Sequence, residues 1–321
     1  MPDPATALPT AHPSAAVDRE ISAEDRSRLR AAASCFALVA LTYLLITIGA
    51  LVRAHDAGLA CPDWPLCFGE FVPTMNLEVT FEWSHRLIAG SVALLFSGVA
   101  IGLLRNSETP AAVRQLLGLA AVLLATQIVL GALTVWLQLA PWTVTAHLIT
   151  GNSFCVALLL IGCSLRDSVH GRAARAAAAP QARAAVIACA VLLFAQMVLG
   201  GLVSSRYAGL VCTEWPTCNG GLWFPTWKGN VGLHLLHRLN GYALIAAFAW
   251  AFLAARSDAG LRRFLTFLLT IGIAQILVGI ANVLLGLPQE ITGLHTALAA
   301  ALVLTLTLVV RDLYSRSAIR R

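Results

Sequence analysis

Charge is the property that this sequence has least of. Only 12% of its 321 residues are charged and 58% are hydrophobic, whereas a soluble domain carries roughly 25% charged residues. The remaining sequence contains long, almost uncharged runs, and about 20 such residues are enough for a helix to cross a bilayer. The runs are 31–52, 87–104, 115–137, 148–165, 184–205, 239–255, 264–287 and 291–310. This pattern excludes a soluble helical protein and predicts an all-α polytopic membrane protein with eight transmembrane helices in the lipid bilayer.

A cleavable leader is also missing. Residues 1–30 are rich in proline, alanine and charge, and no apolar stretch precedes position 31. The first apolar run is too long for the core of a signal peptide, and no small-residue cleavage site follows it. The sequence therefore predicts a retained first helix that is preceded by a disordered cytoplasmic tail over 1–30.

The few basic residues are placed unevenly along the chain. The net charge is +6, but 17 of the 22 Lys and Arg residues fall in the two tails and in the 2–3, 4–5 and 6–7 loops. Basic residues beside helix ends mark the cytoplasmic side of a membrane protein. The remaining basic residues are Arg53, Arg86, Arg206, Lys228 and Arg238. We therefore expect cytoplasmic termini in a cell (inner) membrane and outward-facing 1–2, 3–4, 5–6 and 7–8 loops. The basic excess indicates topology and not nucleic-acid binding.

The outward loops contain an internal repeat. A-G-L-x-C-x-x-W-P-x-C occurs at 57–67 and again at 208–218, and His-Arg-Leu begins at His85 and again at His237. Several independent motifs keep an offset near 150 residues. They predict two tandem four-helix bundles, 31–167 and 183–312, related by a pseudo-two-fold axis along the membrane normal. A cytoplasmic linker over 168–182 joins them, and a cytoplasmic tail follows over 313–321.

A smaller repeat runs through the odd-numbered helices. Three of them carry a glutamine four residues before a glycine, while the first helix has Leu45 before Gly49. The pairs are Gln127 with Gly131, Gln196 with Gly200, and Gln275 with Gly279. Two readings stay open: close helix packing with glutamine as an interhelical hydrogen-bonding group, or contact with the edge of a bound cofactor.

Four histidines occupy matching places near the outward ends of the even-numbered helices: His85, His147, His237 and His295. Ionisable residues inside a membrane span usually mark function. Two facing imidazoles are too few for a tetrahedral zinc site, but a haem needs only axial ligands from the protein. We therefore expect one haem between each pair. Arg86 and Arg238 could reach haem propionates, or could extend to lipid phosphates.

The two halves differ one turn before the first histidine of each pair. Glu82 stands before His85, and His234 stands before His237. Because residues three apart share a helix face, we expect Glu82 to point towards the first pocket. An apolar surround favours a protonated carboxyl group there, which suits proton transfer or stabilisation of a developing cation. This asymmetry assigns the reacting substrate to the first half and a permanent haem to the second. His234 is an alternative ligand to His237.

Two cysteine pairs lie in the outward loops: Cys61 with Cys67, and Cys212 with Cys218. An oxidising compartment permits disulfides, so each pair is read either as a structural disulfide or as a redox-active thiol pair. The other four cysteines have no motif spacing and are expected to be small core residues. They are Cys35, Cys155, Cys163 and Cys189.

These motifs together resemble those of the haem A synthase family. The resemblance covers about residues 31–312 and rests on C-P-D-W-P-L-C, E-W-S-H-R and the four histidines. It implies an oxidoreductase that converts the C8 methyl group of haem O to a formyl group, giving haem A for terminal oxidase assembly, with haem b as cofactor. It implies His85 and His147 at the substrate haem, with Glu82 essential beside it. It also implies His237 and His295 as haem b ligands, and outer-loop disulfides.

A carbocation-like intermediate trapped by water is the expected mechanism, with Glu82 stabilising positive charge or accepting protons. The main alternative is a di-haem b electron-transfer protein linked to quinol. A thiol–disulfide relay is a third reading, and a transporter is disfavoured because the midplane lacks charge. The sequence leaves open the electron-transfer partner, the source of the formyl oxygen, delivery by a haem O synthase, and whether the chain forms a homo-oligomer.

Overall fold

A computed structural model describes residues 22–171 and 177–317, and within these residues the chain is all-α. Eight helices follow one another, and the outer loops between them add only isolated β-bridges, Cys67 with Glu70 and Asn219 with Leu222. The helices are α1 (Ala23–Ala54), α2 (Leu77–Arg105), α3 (Ala111–Trp136), α4 (Pro141–His170), α5 (Pro180–Ser205), α6 (Gly229–Ala254), α7 (Ala259–Leu284) and α8 (Gln289–Ser317). The predicted fold class is confirmed.

Seven of these helices are long and apolar enough to cross a membrane among the described residues. The eighth, α6, has the length, at 26 residues, but carries His237, Arg238 and Asn240 within its apolar stretch. These polar side chains lower its mean hydropathy, and they lie near the helix end that bears the His-Arg-Leu motif of the internal repeat. The chain is therefore a multi-pass membrane protein.

Three predicted boundaries differ from the structure. Residues 23–30 were expected in the tail but form the first turns of α1, because Ser22 caps the helix. The Ser22 hydroxyl accepts from the Asp25 amide at 3.0 Å, and the Asp25 carboxylate accepts from the Ser22 amide at 3.3 Å, which is a capping box. Helix α4 runs to His170 and α5 begins at Pro180, so the linker predicted over 168–182 is shorter.

Helix α8 likewise runs into the predicted C-terminal tail, as far as Ser317. The apolar runs mark the membrane-spanning parts, and these helices continue beyond them. Part of the prediction falls outside the described residues, namely the tail up to residue 21, Arg172 and Arg175 of the linker, and residues 318–321.

The helices pack as an inner set and an outer set. Helices α1, α4, α5 and α8 contact one another across the centre, while α2, α3, α6 and α7 pack outside them. Helix α4 is the most enclosed: 61% of its most apolar stretch is buried, against 17–28% for the other candidate spans. One buried apolar cluster is built from α1–α4 and another from α5–α8, so each predicted half has its own core.

Candidate functional site

The four candidate histidines all lie in the first turns of the even-numbered helices, and therefore near the same end of the molecule. Each ring packs against a glycine of the preceding odd-numbered helix. A Cβ atom built on that glycine would lie 3.0 Å (Gly49, His85), 3.3 Å (Gly131, His147), 3.2 Å (Gly200, His237) or 3.0 Å (Gly279, His295) from the ring Cε1 atom. These contacts are tighter than nearly all real Cβ contacts. The repeated glycines are therefore the places where an imidazole meets the backbone of a neighbouring helix.

The two histidines of each half are close enough to influence each other, and their pairing as ligands stays a prediction. His85 interacts electrostatically with His147, and His237 does so with His295. In all four rings the Nδ1 atom is enclosed and has no hydrogen-bond partner within the described part of the chain, although each residue as a whole is only half-buried. Buried polar atoms are normally hydrogen-bonded. Each half thus holds two imidazoles whose Nδ1 atoms are enclosed by protein, so Nε2 is the ring nitrogen that each could offer to a planar cofactor as an axial ligand.

Two of the rings also meet a glutamine amide. Gln127 Nε2 lies 3.1 Å from His147 Nε2, and Gln196 Nε2 lies 3.5 Å from His237 Nε2. Asn240 donates to Gln196 Oε1 at 2.7 Å, whereas Gln127 Oε1 is buried without a partner among the described residues. The first reading of the Gln-Gly repeat therefore fits Gln127 and Gln196, which make interhelical hydrogen bonds beside close-packing glycines. It did not name the histidines as the groups that these residues contact.

Glu82 is buried, but its carboxylate is held by the first outer loop. Oε2 accepts from the Cys61 amide at 2.8 Å, and Oε1 accepts from Arg86 Nη2 at 2.5 Å. Two donors on the loop side therefore bind both oxygens, and the role of Glu82 in the histidine pocket stays a prediction. Glu82 connects the helix of His85 with the loop that carries Cys61.

Arg86 is bound to the same loop. Besides Glu82, its guanidinium donates to the carbonyls of Asp63 at 2.7 Å, Leu66 at 2.6 Å and Cys61 at 3.3 Å. Both Nη atoms are thus occupied by protein acceptors. An arginine fork that binds several carbonyls fixes the path of the loop.

Arg238 and His234 bind the third outer loop in the corresponding way. Arg238 donates to the carbonyls of Thr217 at 2.9 Å and Cys212 at 3.0 Å, which leaves more of its donors available than Arg86 has. The buried His234 ring is bound through Nδ1 to the Ala208 carbonyl at 2.7 Å. Because that nitrogen is engaged in the loop, His234 is a weaker candidate ligand than His237.

Both outer-loop cysteine pairs form disulfides, Cys61–Cys67 and Cys212–Cys218. In each loop one carboxylate caps the following turn, a role that the sequence prediction missed. Hydrogen bonds from the Gly69 and Phe68 amides hold the pKa of Asp63 below its ordinary value. Bonds from the Gly221 amide, the Thr217 hydroxyl and the Gly220 amide lower the pKa of Glu214. The signal for this role was present: Asp63 and Glu214 occupy the same place in the two loop motifs.

The donor set fits a haem better than a bare metal ion. Among the described residues no group of three or more His, Cys, Asp or Glu side chains is placed to hold a metal ion, whereas a structural zinc site needs four ligands. A haem brings four nitrogens of its own and needs only axial ligands. The paired imidazoles on apolar helices meet that need twice.

Comparisons with known proteins identify the family of the chain. The family model COX15-CtaA, described as cytochrome oxidase assembly protein, matches residues 32–81 and 76–307. A protein of Shewanella oneidensis named "Heme A synthase" is 32% identical over 210 residues, which are 60% of this chain and 61% of that protein. Proteins of the same name from Halalkalibacterium halodurans and Symbiobacterium thermophilum are 28% and 29% identical, over 64% and 74% of this chain and 71% and 80% of theirs. The chain therefore belongs to the COX15-CtaA family of cytochrome oxidase assembly proteins.

Proposed function

We propose that this protein is a haem A synthase, an oxidoreductase that converts the C8 methyl group of haem O to a formyl group and so supplies haem A for terminal oxidase assembly. The observation that carries the proposal is the pair of enclosed imidazoles in each half, at one depth of a multi-pass membrane protein of this family. Its named relatives carry the same activity in their names.

The first half is the proposed substrate site. His85 and His147 would hold the iron of haem O, and His237 and His295 would hold a resident haem b. The assignment is supported by the difference between Glu82 and His234: a buried carboxylate stands beside the first pair only, while its counterpart is bound to the Ala208 carbonyl. Arg238, which keeps unoccupied donors, is the better candidate for a propionate, and Arg86 keeps that role only if it releases loop carbonyls.

The chemistry assigns separate tasks to these residues. Oxidising a methyl group to a formyl group removes electrons and protons and adds an oxygen atom, and positive charge develops at the carbon when water is the oxygen source. Haem b, when bound, would pass electrons onward. Glu82 lies one helical turn from His85 and is buried, so its negative charge would act through a low-dielectric surround. Arg86 and the Cys61 amide would fix the position of that carboxylate.

The proposed location is the cell inner membrane with cytoplasmic termini. Both disulfides are in loops at the same end as the histidines, and disulfides persist in an oxidising compartment. The basic residues concentrate at the other end. Haem O is the proposed substrate partner, and a haem O synthase would deliver it from within the bilayer.

The second candidate is a di-haem b electron-transfer protein. The similar His–Gly contacts of the two halves favour it, because an electron relay needs two comparable sites. The difference between Glu82 and His234 disfavours it.

Haem extraction tests the proposal. We expect membranes from cells that express this chain with a haem O synthase to contain haem A, identified by mass, and Glu82→Gln to reduce haem A at least tenfold with haem b content unchanged. Glu78→Gln is the matched control, because Glu78 lies one turn earlier on α2 and is exposed. Haem b without haem A in the unmodified protein would favour electron transfer instead.

A further inference from the structure

The distance from the glutamine amide to the histidine ring differs between the two proposed haem positions. Gln127 Nε2 is 3.1 Å from His147 Nε2, a normal hydrogen-bond length. Because an amide NH2 group only donates, His147 Nε2 accepts this bond through its lone pair, the same lone pair that would bind iron. Gln196 Nε2 stands 3.5 Å from His237 Nε2, where such a bond is weak. The ring nitrogen is therefore occupied in the first half and nearly free in the second.

Asn240 accounts for the difference. Its amide donates to Gln196 Oε1 at 2.7 Å and to the Leu192 carbonyl at 3.0 Å, so Gln196 is held away from His237. In the first half the position three residues after His147 is Thr150, whose hydroxyl is on a shorter side chain than the asparagine amide. Gln127 Oε1 stays without a partner within the described chain, so Thr150 does not replace Asn240. The hydrogen bond to His147 is the contact that holds the Gln127 amide.

Helices α4 and α6 each have a glycine at the place where one of these two amides approaches. A Cβ atom on Gly151, one turn after His147, would lie 3.0 Å from Gln127 Nε2, and one on Gly241, one turn after His237, would lie 3.4 Å from Gln196 Nε2. The other two histidines are followed at the same spacing by Ala89 and Ala299. The glycines thus mark the two histidines that a glutamine approaches.

We propose that Gln127 caps His147 while the first haem position is empty and yields to an incoming haem, whereas Asn240 keeps Gln196 from capping His237. This inference rests on the proposed function for the identity of the ligand. Because Nδ1 is enclosed by protein, Nε2 is the nitrogen available to iron, and the cap competes for it. A net hydrogen bond changes an equilibrium constant by roughly two- to tenfold. The first site therefore releases haem readily, as a substrate site must, and the second retains it.

Haem transfer to apomyoglobin tests the inference. The haem-loaded protein in detergent is mixed with excess apomyoglobin, and haem loss is followed by absorbance. We expect a fast phase from the first site, identified by its absence in His147→Ala, and a slow phase from the second. Gln127→Leu should slow the fast phase roughly two- to tenfold, and Asn240→Leu should accelerate the slow phase by a similar factor.

Gln275→Leu is the matched control. It removes the same side chain from the equivalent place on α7, where no hydrogen bond joins Gln275 to His295 among the described residues, so neither phase should change. A single phase in the unmodified protein, or an unchanged fast phase in Gln127→Leu, would overturn the inference. If Asn240→Leu does not fold, the rate of the fast phase in Gln127→Leu still tests the inference. A protein that binds no haem would instead contradict the proposed function.

Discussion

Glu82 and His234 occupy the same position in the two halves and bind opposite kinds of atom. Glu82 accepts from the Cys61 amide, and His234 is bound to the Ala208 carbonyl. In each half, this contact connects an outer loop to the helix that carries a candidate ligand. Only in the first half is the connecting side chain a carboxylate. This difference in charge is the reason for proposing the catalytic role of the first half.

The capping carboxylate of the first outer loop gives a prediction on pH. The Gly69 and Phe68 amides lower the pKa of Asp63 in the folded loop, so its contribution to stability is complete above the unfolded value, about 3.9. That contribution is lost as the pH falls through the lower folded value. We expect reduction of the Cys61–Cys67 disulfide by a phosphine to accelerate below about pH 4.

Asp63→Asn provides the comparison. The amide oxygen can still accept a hydrogen bond but does not titrate, so the acceleration at low pH should disappear, with a higher reduction rate at neutral pH. Glu214→Gln should leave the first disulfide unaffected, because Glu214 caps the other loop. An unchanged pH profile in Asp63→Asn would contradict the capping role.

Part of this residue-scale chemistry could be predicted from the sequence. The four histidines and both cysteine pairs were found because the repeat displays each of them twice. The contacts of Arg86 could not be predicted, because three of its acceptors are backbone carbonyls of the loop. The identity of a side chain does not show in which direction the backbone carbonyl points. Asn240 was missed because its partner Gln196 lies on another helix.

At the scale of helices, the histidine positions depend on pairs of neighbouring helices. Each odd-numbered helix presents a glycine to the ring of the following even-numbered helix. A larger side chain on that glycine would push the imidazole away from its partner across the bundle, because the ring is already in contact with the backbone there.

Gly131 offers the clearest test of this arrangement. We expect Gly131→Val to displace the His147 ring and to lower the haem content of the first site at least severalfold. Haem per protein is measured by the pyridine haemochrome spectrum. Gly118→Val is the matched control on the same helix, because a Cβ atom there meets no other atom within 4 Å. Both variants place a β-branched residue in α3, so equal losses of haem would mean that helix propensity, and not the ring contact, is responsible.

The sequence predicts where a helix occurs better than it predicts where that helix begins or ends. Hydropathy predicted every helix, because a span must be apolar over about 20 residues. It misplaced the start of α1, because Ser22 and Asp25 stabilise the helix end through a capping box in a charged segment. The pseudo-two-fold relation of the halves stays a prediction, although each half has its own buried cluster.

Across the whole molecule, the two halves are joined at both ends of the inner helices. At the histidine end, Arg53 of α1 places its guanidinium 3.6 Å from the centre of the Tyr207 ring and donates to the Ser204 carbonyl at 3.0 Å. Close to His295 on α8, the Tyr43 hydroxyl donates to the Ala297 carbonyl at 2.9 Å. At the opposite end, Arg311 pairs with Asp167. These contacts join the two halves, and the proposed electron transfer would need the two histidine pairs held at a fixed separation.

Arg53 is the side chain through which this junction is best tested. Arg53→Leu removes a cation–π contact and a hydrogen bond to a carbonyl, so we expect the free energy of unfolding to fall by about 1–2 kcal/mol. Arg53→Lys keeps a cation near the ring but loses the planar fork, so its loss should be smaller. Arg105→Leu, at the exposed end of α2, is the control for removing a surface arginine. Thermal unfolding in detergent, followed by circular dichroism, ranks the three variants by stability. If Arg53→Leu and Arg105→Leu unfolded at the same temperature, the packing of the inner helices would be enough to hold the two halves together. The contacts of Arg53 at the histidine end would then contribute nothing measurable.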